Sequence, residues 1–405
     1  MNFILFDDHR WQQLLPLTFT RPVSSLRIGI DTIKQKWDHY LRANTSQLSE
    51  KYLQEKFPAV FTDDNFYING GLIPNPQLIA EIKLLNPAEK LMAGEEIIAI
   101  RSPEKYFSKR SLQEHAADFK IVNYHQNQNS YLSISRSWHL FQFNDAVMRE
   151  DFKRITADRK SAQLSGSNTL IGNDLFIEEG AQIEASTINT KTGPVYIAKN
   201  AEVMEGAMLR GPLSVGEHAT IKMGAKIYGA TTIGPYCKAG GEISNSILTG
   251  YSNKGHDGFL GNSVLGEWCN VGADSNNSNL KNNYTEVKLW DYVTQKFIST
   301  GLQFCGLIMA DHSKCGINTM FNTGTVIGVN ANIFGDGFPR NFVPSFSWGG
   351  AAGFVTYKLK DAFAVADEVM KRRNIEFSNA DKQILTTIYE MSERYRKGQL
   401  IFLHR

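Results

Sequence analysis

The sequence predicts three parts: an α/β domain, a parallel β-helix and a C-terminal helical segment. The β-helix is predicted by aliphatic residues that recur at every sixth position from Ile197 to Ile233, each followed four residues later by a mostly small residue. An α-helix would need apolar spacings of three and four, so a fixed six-residue period is typical of stacked coils. Before this region strand and helix patterns alternate, and after it helical spacing returns.

Residues 1–135 are predicted to form the α/β domain. Phe3–Phe6 is an apolar run typical of a buried strand that ends at two aspartates, and Glu96–Ile100 is a second such run. Helical spacing lies between them, in Gly29–Leu41 and Gln77–Leu85. The alternation of strands and helices favours a layered domain with a mainly parallel sheet.

A linker helix and the repeat region follow. Residues 136–164 are assigned to the linker, because Trp138–Ile155 carries apolar residues at helical spacing. Residues 165–347 carry the repeat, whose coils must stack to bury their aliphatic side chains. Two stretches are expected to break the stacking, Gly250–Gly258 and the Asn-rich Asp274–Thr300. Such excursions are often functional.

Residues 348–405 are predicted to be helical. Tyr357–Tyr395 contains two amphipathic stripes, and Ser378 with Asp381 three residues later resembles a capping box that starts the second helix. Such helices must cover another surface of the molecule or of a neighbouring subunit.

Composition narrows the class of protein. The chain of 405 residues is 42% hydrophobic and 21% charged, and its net charge of +2 argues against broad binding to nucleic acid or membranes. The short apolar start and the lack of any apolar stretch of about 18 residues predict a cytoplasmic protein. Four cysteines without a CxxC pair are expected to be buried, reduced thiols: Cys237, Cys269, Cys305 and Cys315.

Candidate catalytic and binding residues lie where the six-residue repeat is interrupted. The first of the two stretches gathers Lys254, His256 and several glycines. Histidine suits a general base near neutral pH, lysine can neutralise a phosphate, and glycines allow a ligand to approach closely. The second group contains Asn270, the Asn-rich run over 273–284 and Lys288, whose amides can bond sugar hydroxyls. Each residue alone is also compatible with loop structure, but the combination favours a sugar-phosphate site.

The region from Gly211 to Gly335 resembles the acetyltransferase half of bacterial bifunctional glucosamine-1-phosphate acetyltransferases and N-acetylglucosamine-1-phosphate uridyltransferases, on the motifs GYSNKGHDGFLGNS, GEWCNVGAD and NLKNNY. The whole chain resembles a divergent group of these two-domain sugar nucleotidyltransferases. The resemblance implies a nucleotidyltransferase-like (Rossmann-like) N-terminal domain and a left-handed parallel β-helix that forms a homotrimer, with acetyl-CoA between neighbouring coils. The implied activity is acetylation of glucosamine 1-phosphate coupled to uridyl transfer from UTP, which gives UDP-N-acetylglucosamine.

The resemblance also assigns roles to residues. His256 matches the base that deprotonates the amine, so that the amine attacks the thioester without a covalent enzyme intermediate. The backbone amides of Gly272 and Ala273 would polarise the thioester carbonyl. Phe259 stands where the family has a tyrosine. Contacts to the sugar phosphate are expected from Lys254, Asn270, Asn279 or Asn283, Tyr284 and Lys288.

Within FDDHRWQQLLPLTFTRPVSSLRIG, the stretch LLPLTFTRP is similar to one in the divergent group, and INGGLIP resembles the segment that follows there, except that Gly71 replaces an expected arginine. The N-terminal half lacks the glycine-rich loop with which classical sugar nucleotidyltransferases hold a triphosphate. Arg10 and Arg21 are therefore the candidate contacts to nucleotide phosphates. Nucleotidyl transfer would use Mg²⁺, but the aspartate pairs at 7–8 and 63–64 do not single out its ligands.

Three interpretations stay open at the level of sequence. In the first, the chain is bifunctional. In the second, it has a single activity, either nucleotidyl transfer with an oligomerising β-helix or acetyl transfer beside an inactive N-terminal domain. The third is a metal-binding β-helix of the carbonic anhydrase type, with zinc ligands proposed at His218, His256 and His312.

Overall fold

The computed structural model describes residues 1–106, 108–125 and 131–400. The chain divides into two compact units. The first comprises residues 1–26, 31–136 and 379–384, and the second comprises residues 27–30, 137–378 and the chain from 385 onward.

The first unit is built on a six-stranded sheet in the order β2-β1-β3-β5-β4-β6. Its strands are β1 (Asn2–Phe6), β2 (Ser46–Leu48), β3 (Asn65–Asn69), β4 (Glu89–Ala93), β5 (Glu96–Ser102) and β6 (Lys120–Asn123). β1 pairs in parallel with β2 and β3, and β4 pairs in parallel with β6. β5 is antiparallel to both β3 and β4. The sheet is thus mixed. The sequence predicted a mainly parallel sheet and could not show the antiparallel strand, because an apolar run predicts a strand but not its direction.

The helical elements of this unit are α1 (Arg10–Gln13), α2 (Ile33–Leu41), α3 (Pro76–Lys83), α4 (Lys109–Ala116) and two 3-10 turns (Val23–Ser25 and Lys51–Leu53). α2 begins later than predicted, because the Thr32 hydroxyl accepts a hydrogen bond from the Gln35 backbone N–H in a capping box. Gly29 lies outside the helix with a φ of 68°, a conformation that glycine adopts without strain. Asn75 caps α3 in the same way, through the Leu78 N–H.

The second unit is a parallel β-helix, as predicted, and its strands form three faces. Face A contains β7 (Thr169–Ile171), β10 (Thr187–Asn189), β13 (Met208–Arg210), β16 (Lys226–Tyr228), β19 (Glu242–Ser244) and β22 (Phe259–Gly261). Face B contains β8 (Leu175–Ile177), β11 (Val195–Ile197), β14 (Leu213–Val215), β17 (Thr231–Ile233), β20 (Ile247–Gly250), β23 (Val264–Glu267), β28 (Leu307–Met309), β31 (Thr325–Ile327) and β33 (Phe342–Val343). Face C contains β9 (Gln182–Ile183), β12 (Glu202–Val203), β15 (Thr220–Ile221), β18 (Lys238–Ala239), β21 (Asn253–Lys254), β24 (Asn270–Val271), β29 (Lys314–Cys315), β32 (Asn332–Ile333), β34 (Ser347–Gly350) and β35 (Gly353–Thr356).

The six-residue rhythm corresponds to the three faces. Ile197, Val203 and Leu209 lie on faces B, C and A in turn, and each is stacked on the aliphatic residue 18 positions further along the chain. Together these side chains form one continuous buried core. The repeat therefore predicted both the architecture and its interior.

The first predicted break, Gly250–Gly258, is wrong. β20, β21 and β22 pair in register with the coil below. Thr220 pairs with Lys238, 18 residues on, whereas Lys238 pairs with Asn253, only 15 residues on. The phase changes because this coil is shorter, and the stacking continues.

The second predicted break is confirmed. β25 (Asn276–Asn277) pairs with β30 (Met320–Phe321), and between them the chain leaves the coil and forms an antiparallel hairpin. The hairpin consists of β26 (Lys288–Asp291) and β27 (Lys296–Ser299).

Helices cover parts of the β-helix. The predicted linker helix, α5 (His139–Thr156), belongs to the second unit, where the Asn144 side-chain amide donates to the Ala230 carbonyl at 2.7 Å. Beyond the coils lie α6 (Leu359–Lys371), α7 (Asn379–Met391) and α8 (Glu393–Leu400). The C-terminal segment thus has three helices where two were predicted. Arg396 of α8 donates to the Ser345 carbonyl at 3.1 Å, which holds α8 against the last coils.

Two further predictions concern burial and membranes. All four cysteines are buried free thiols, as predicted. Within the described ranges, no helix combines the length and the apolar character needed to cross a membrane.

Candidate functional site

The predicted general base lies on the turn that joins face C to face A. His256 is exposed, and its turn is held between two neighbouring coils. Below it, a Cβ at Gly241 would come within 2.7 Å of the His256 carbonyl oxygen, so only glycine allows this approach. Above it, the Asp274 N–H donates to the Asp257 carbonyl at 3.1 Å. The backbone of the turn is therefore fixed while the imidazole meets solvent.

Lys254 is placed differently from the predicted phosphate contact. Its side chain is 1% exposed and occupies the inward position that Ala239 and Val271 hold in the adjoining coils. Its ammonium donates to the carbonyls of Gly240 and Asp257, both at 3.2 Å, and to that of His256. Burial lowers the pKa of Lys254 to about 8. This environment favours an anchor for the His256 turn over a contact with substrate.

Asn270 lies on the outer surface of face C, one coil above Asn253. The Asn253 Nδ2 donates to the Asn270 Oδ1 at 3.5 Å, and Lys314 lies opposite Asn270 on the next coil. Sequence reasoning missed Lys314, whose ammonium donates to the His312 carbonyl at 2.9 Å and whose pKa is lowered to about 8 by burial. Its outward position in the repeat could have identified it, had the coil lengths been known.

Cations lie on the coils below Asn253, on the same face C. Lys238 is the neighbour of Asn253 on the coil below. Desolvation and the like charges of Arg373, Lys222 and Arg372 lower the pKa of Lys238. The backbone brings Lys222 and Lys238 next to the glycines that precede the His256 turn: Cβ atoms at Gly240 and Gly255 would lie 3.2 Å from the Lys222 Cβ and 3.8 Å from the Lys238 Cβ. An anion near His256 would reduce this repulsion.

The predicted amide donors are only partly available. The Gly272 N–H donates to the Cys315 carbonyl at 3.1 Å as part of the β-helix ladder. Strand pairing therefore already uses this amide, and the structure does not support the prediction that it donates to a thioester carbonyl. The Ala273 amide follows at the corner and stays a candidate.

The other predicted sugar contacts lie elsewhere. Asn279 donates to the Asn262 side chain at 2.8 Å, beyond the far end of the face A strand, and Asn283 accepts from the Thr285 N–H at 3.2 Å. Tyr284 is 65% exposed, and Lys288 lies on the hairpin. In the part of the chain that the structure describes, no hydrogen bond or ion pair joins any of them to His256.

The three histidines proposed as zinc ligands are not brought together. His218 and His312 are the two ends of a stack of five rings on another corner of the coil, separated by Tyr236, Tyr251 and Trp268. Over the described ranges, no group of three or more His, Cys, Asp or Glu side chains is arranged to hold a metal ion.

The first unit has polar residues at the carboxyl ends of β1 and β3. β1 lies between β2 and β3, so the chain leaves it to one side and returns on the other, and ligands of α/β sheets bind at such switch points. Arg10 is 5% exposed, pairs with Glu96 and lies 3.7 Å from Asp8. Its Nη1 has no hydrogen-bond partner among the described residues. Arg21 is also buried.

The aspartates at this edge do not fit a magnesium site. Asp7 accepts hydrogen bonds from the Val23 N–H at 3.0 Å and from the Ser49 hydroxyl, and burial raises its pKa to about 7. Asp8 accepts from the Arg10 N–H at 2.9 Å and from the Asn69 amide at 3.0 Å. Their oxygens are thus engaged by the protein, whereas Mg²⁺ would need free carboxylate oxygens.

Comparison with known proteins finds a similarity in the N-terminal part of the chain. Residues 3–160 match the family model described as sugar nucleotidyl transferase. These residues thus resemble a sugar nucleotidyl transferase domain. The match extends through α5 and ends before the first coil of the β-helix.

A curated relative carries both predicted activities in its name. It is the bifunctional sugar-1-phosphate nucleotidylyltransferase/acetyltransferase of Sulfurisphaera tokodaii, 33% identical over 93 residues. The match covers 23% of this chain and 23% of the relative. Together with the match of residues 3–160, this similarity confirms the predicted resemblance and supports the prediction that the chain is a transferase.

Two solved structures share limited similarity with the chain. One is a UDP-N-acetylglucosamine acyltransferase from Campylobacter jejuni, with 13% identity, a TM-score of 0.26 and coverage of 56% of this chain and 96% of that one. The other is a mutant GDP-perosamine N-acetyl transferase from Caulobacter crescentus in complex with CoA and GDP-perosamine, with 11% identity, a TM-score of 0.14 and coverage of 56% and 86%. Likeness at this level carries no functional argument.

Proposed function

We propose that the β-helix transfers an acetyl group from acetyl-CoA to the amine of an amino-sugar 1-phosphate, with glucosamine 1-phosphate as the first candidate. The sugar nucleotidyl transferase domain then joins the acetylated product to a nucleotide, with UTP as the first candidate. The observation that carries the proposal is the His256 turn, where an exposed imidazole follows Asn253, which is hydrogen-bonded to Asn270 and paired with Lys238. The name of the curated relative supports the pairing of the two activities.

The acetyl transfer needs one general base and one hydrogen-bond donor to the oxyanion. The neutral His256 imidazole takes a proton from the amine as the amine nitrogen bonds to the thioester carbonyl carbon. The carbon–sulfur bond then breaks, and the CoA thiolate leaves and takes a proton. The Ala273 N–H is the candidate donor to the oxyanion.

The substrate phosphate is assigned to the cations around Lys238. Lys222 and Lys238 flank the base of the His256 turn, and the positive field there is unfavourable until an anion binds. Lys254, with its ammonium inside the coil, is left out of this contact. Arg10 and Arg21 are the candidate contacts to nucleotide phosphates in the first unit.

The proposal is tested first at His256. We expect His256→Asn to lower acetyl transfer to glucosamine 1-phosphate by about 100-fold or more, because general-base catalysis contributes 10²–10⁴-fold. The substitution is at an exposed side chain, so the melting temperature should not change. Release of free CoA thiol measures the rate. Wild-type rates in the variant would remove His256 from the role.

A second candidate function is nucleotidyl transfer alone, with the β-helix as an oligomerising module. It is favoured by the extent of the family match, which covers residues 3–160 only. Incubation with acetyl-CoA, glucosamine 1-phosphate, UTP and Mg²⁺ separates the candidates. Pyrophosphate without acetylated sugar would select the second candidate, and acetylated sugar without pyrophosphate would mean an inactive N-terminal domain. The homotrimer and the cytoplasmic location stay predictions, and sedimentation equilibrium would test the first.

A further inference from the structure

The hairpin that leaves the β-helix forms one side of a cavity of about 600 Å³. The other side comes from two later coils, at Thr323 and at residues 340–342. The Asn341 amide donates to the Thr323 carbonyl at 2.9 Å, which fixes these two coils to each other. Residues far apart in sequence thus meet at one open pocket within the second unit. Its lining consists of Lys281, Lys288, Trp290, Phe297, Thr323, Arg340, Asn341 and Phe342.

One part of the cavity is aromatic. Trp290 stacks on Phe342 with ring centroids 4.3 Å apart and planes 11° from parallel, and Phe297 meets Trp290 edge-on at 5.4 Å. Phe297 is 43% exposed, and the buried indole N–H of Trp290 has no partner among the described residues. An exposed ring beside an unsatisfied donor suits a planar ligand that carries hydrogen-bond acceptors.

The other part of the cavity is cationic. Lys281, Lys288 and Arg340 line it, and none of the eight lining residues is acidic. Lys288 and Arg340 are exposed, and the Lys281 ammonium donates to the Glu286 carbonyl at 2.6 Å. Aromatic rings that stack a base, next to cations that meet phosphates, are the two parts of a nucleotide site.

We propose that this cavity binds the base and the phosphates of a nucleotide, in the first place the ADP portion of CoA. The identity of the ligand rests on the proposed acetyl transfer, and a free nucleotide shares the same chemistry. Asn341 lies three coils beyond the coil of the His256 turn, or ~14 Å along the axis at one strand spacing per coil. That separation is too long for the phosphate of a sugar reacting at His256. It suits a cosubstrate whose thioester and nucleotide are joined by a long arm.

The experiment measures binding to the full chain by calorimetry, with CoA, ADP and UDP as separate probes. We expect Trp290→Ala to weaken CoA and ADP about tenfold, the usual effect of one lost stacking contact. The double substitution Lys288→Gln with Arg340→Gln should weaken both by at least as much and leave the rings in place. Lys296→Gln is the matched control, because it removes a charge from the same hairpin outside the cavity.

The outcomes separate the sources of the ligand. Loss of CoA and ADP affinity in both variants, but not in the control, supports the coenzyme. Loss of UDP affinity with CoA unchanged keeps a nucleotide site but assigns it to the nucleotide of the other reaction. Unchanged affinity for all three probes overturns the proposal. Because no turnover is needed, a lack of acetyl transfer would overturn the proposed function without deciding this question.

Discussion

Lys254 holds a core position that the repeat otherwise gives to small or aliphatic side chains. Placing an ammonium there costs several kcal/mol of desolvation, which the three backbone carbonyls offset in part. Two of those carbonyls belong to His256 and Asp257. We infer that this lysine positions the backbone of the catalytic turn.

The positioning role can be tested with Lys254→Met, which keeps the volume and removes the charge. We expect kcat for acetyl transfer to fall at least tenfold with little change in the KM for glucosamine 1-phosphate, because a base displaced by ~1 Å can lose about 100-fold in rate. Steady-state kinetics measure both constants. Val203→Ala is the control, since it perturbs the same face of the core away from the turn. Equal losses of kcat in the two variants would mean that core packing alone explains the effect.

The same variant changes how stability depends on pH. The pKa of Lys254 is lowered to about 8, whereas an unfolded lysine titrates at about 10.4, so between these values the folded chain binds fewer protons. The lysine therefore makes the free energy of unfolding rise with pH across this window, by up to ~3 kcal/mol. In Lys254→Met this contribution should be absent. Urea unfolding at about pH 7.5 and about pH 10 compares the two proteins, and Lys314 contributes to both.

At single positions, the sequence indicated candidate site residues better than it indicated the role of each. His256 and Asn270 could be chosen, because a lone imidazole and an outward amide are recognisable in a short motif. The role of Lys254 could not, because a lysine in a polar stretch gives no sign that its side chain points inward. Gly272 shows the same limit, since only the strand pairing reveals that its amide is already used.

A stack of rings follows one corner of the β-helix. His218, Tyr236, Tyr251, Trp268 and His312 all have φ between 53° and 62°, and their ring centroids lie 4.3–6.2 Å apart. A left-handed backbone at a non-glycine residue costs about 1–2 kcal/mol. We infer that ring stacking and burial repay this cost and hold the coils in register.

The stack predicts an uneven response to truncation. Trp268 is buried between two rings, so Trp268→Ala should lower the free energy of unfolding by ~3 kcal/mol or more. His218→Ala is the matched control at the exposed end of the stack, with one ring neighbour and an expected loss of about 1 kcal/mol or less. Urea denaturation measures both losses. Equal losses would mean that the stack does not act through its central ring.

At the level of elements, periodicity predicted the stacked coils but not their lengths. The pattern predicts an excursion around residues 250–258, because a coil three residues shorter shifts the phase of the repeat as an insertion does. The Asn-rich stretch predicts a polar loop, whereas residues 288–291 form a strand whose positions alternate between more exposed and buried. The cavity beside the hairpin was not predictable, because the partners at 323 and 340–342 meet the hairpin only in the fold.

The whole molecule consists of two units, each with its own core and its own candidate chemistry. The sequence predicted the two different cores, because a six-residue period and a strand–helix alternation require them. Each candidate site rests on its own unit: the Arg10 edge depends on strands of one sheet, and the His256 turn depends on contacts between coils.

Two units of this kind predict two activities that can be lost separately. Arg10→Gln should lower pyrophosphate release from UTP and N-acetylglucosamine 1-phosphate about tenfold or more, since it removes a charge-assisted contact to phosphate, and should leave acetyl transfer unchanged. His256→Asn should do the reverse.

Arg101→Gln is the control, because this arginine also forms an ion pair in the same sheet but lies near the start of β3, away from the switch point. Because Arg10→Gln leaves Glu96 with the Tyr131 hydroxyl as its one hydrogen-bond partner among the described residues, melting curves must accompany the rates. Loss of both activities from either substitution, with an unchanged melting temperature, would show that the two reactions are coupled and that neither unit acts alone.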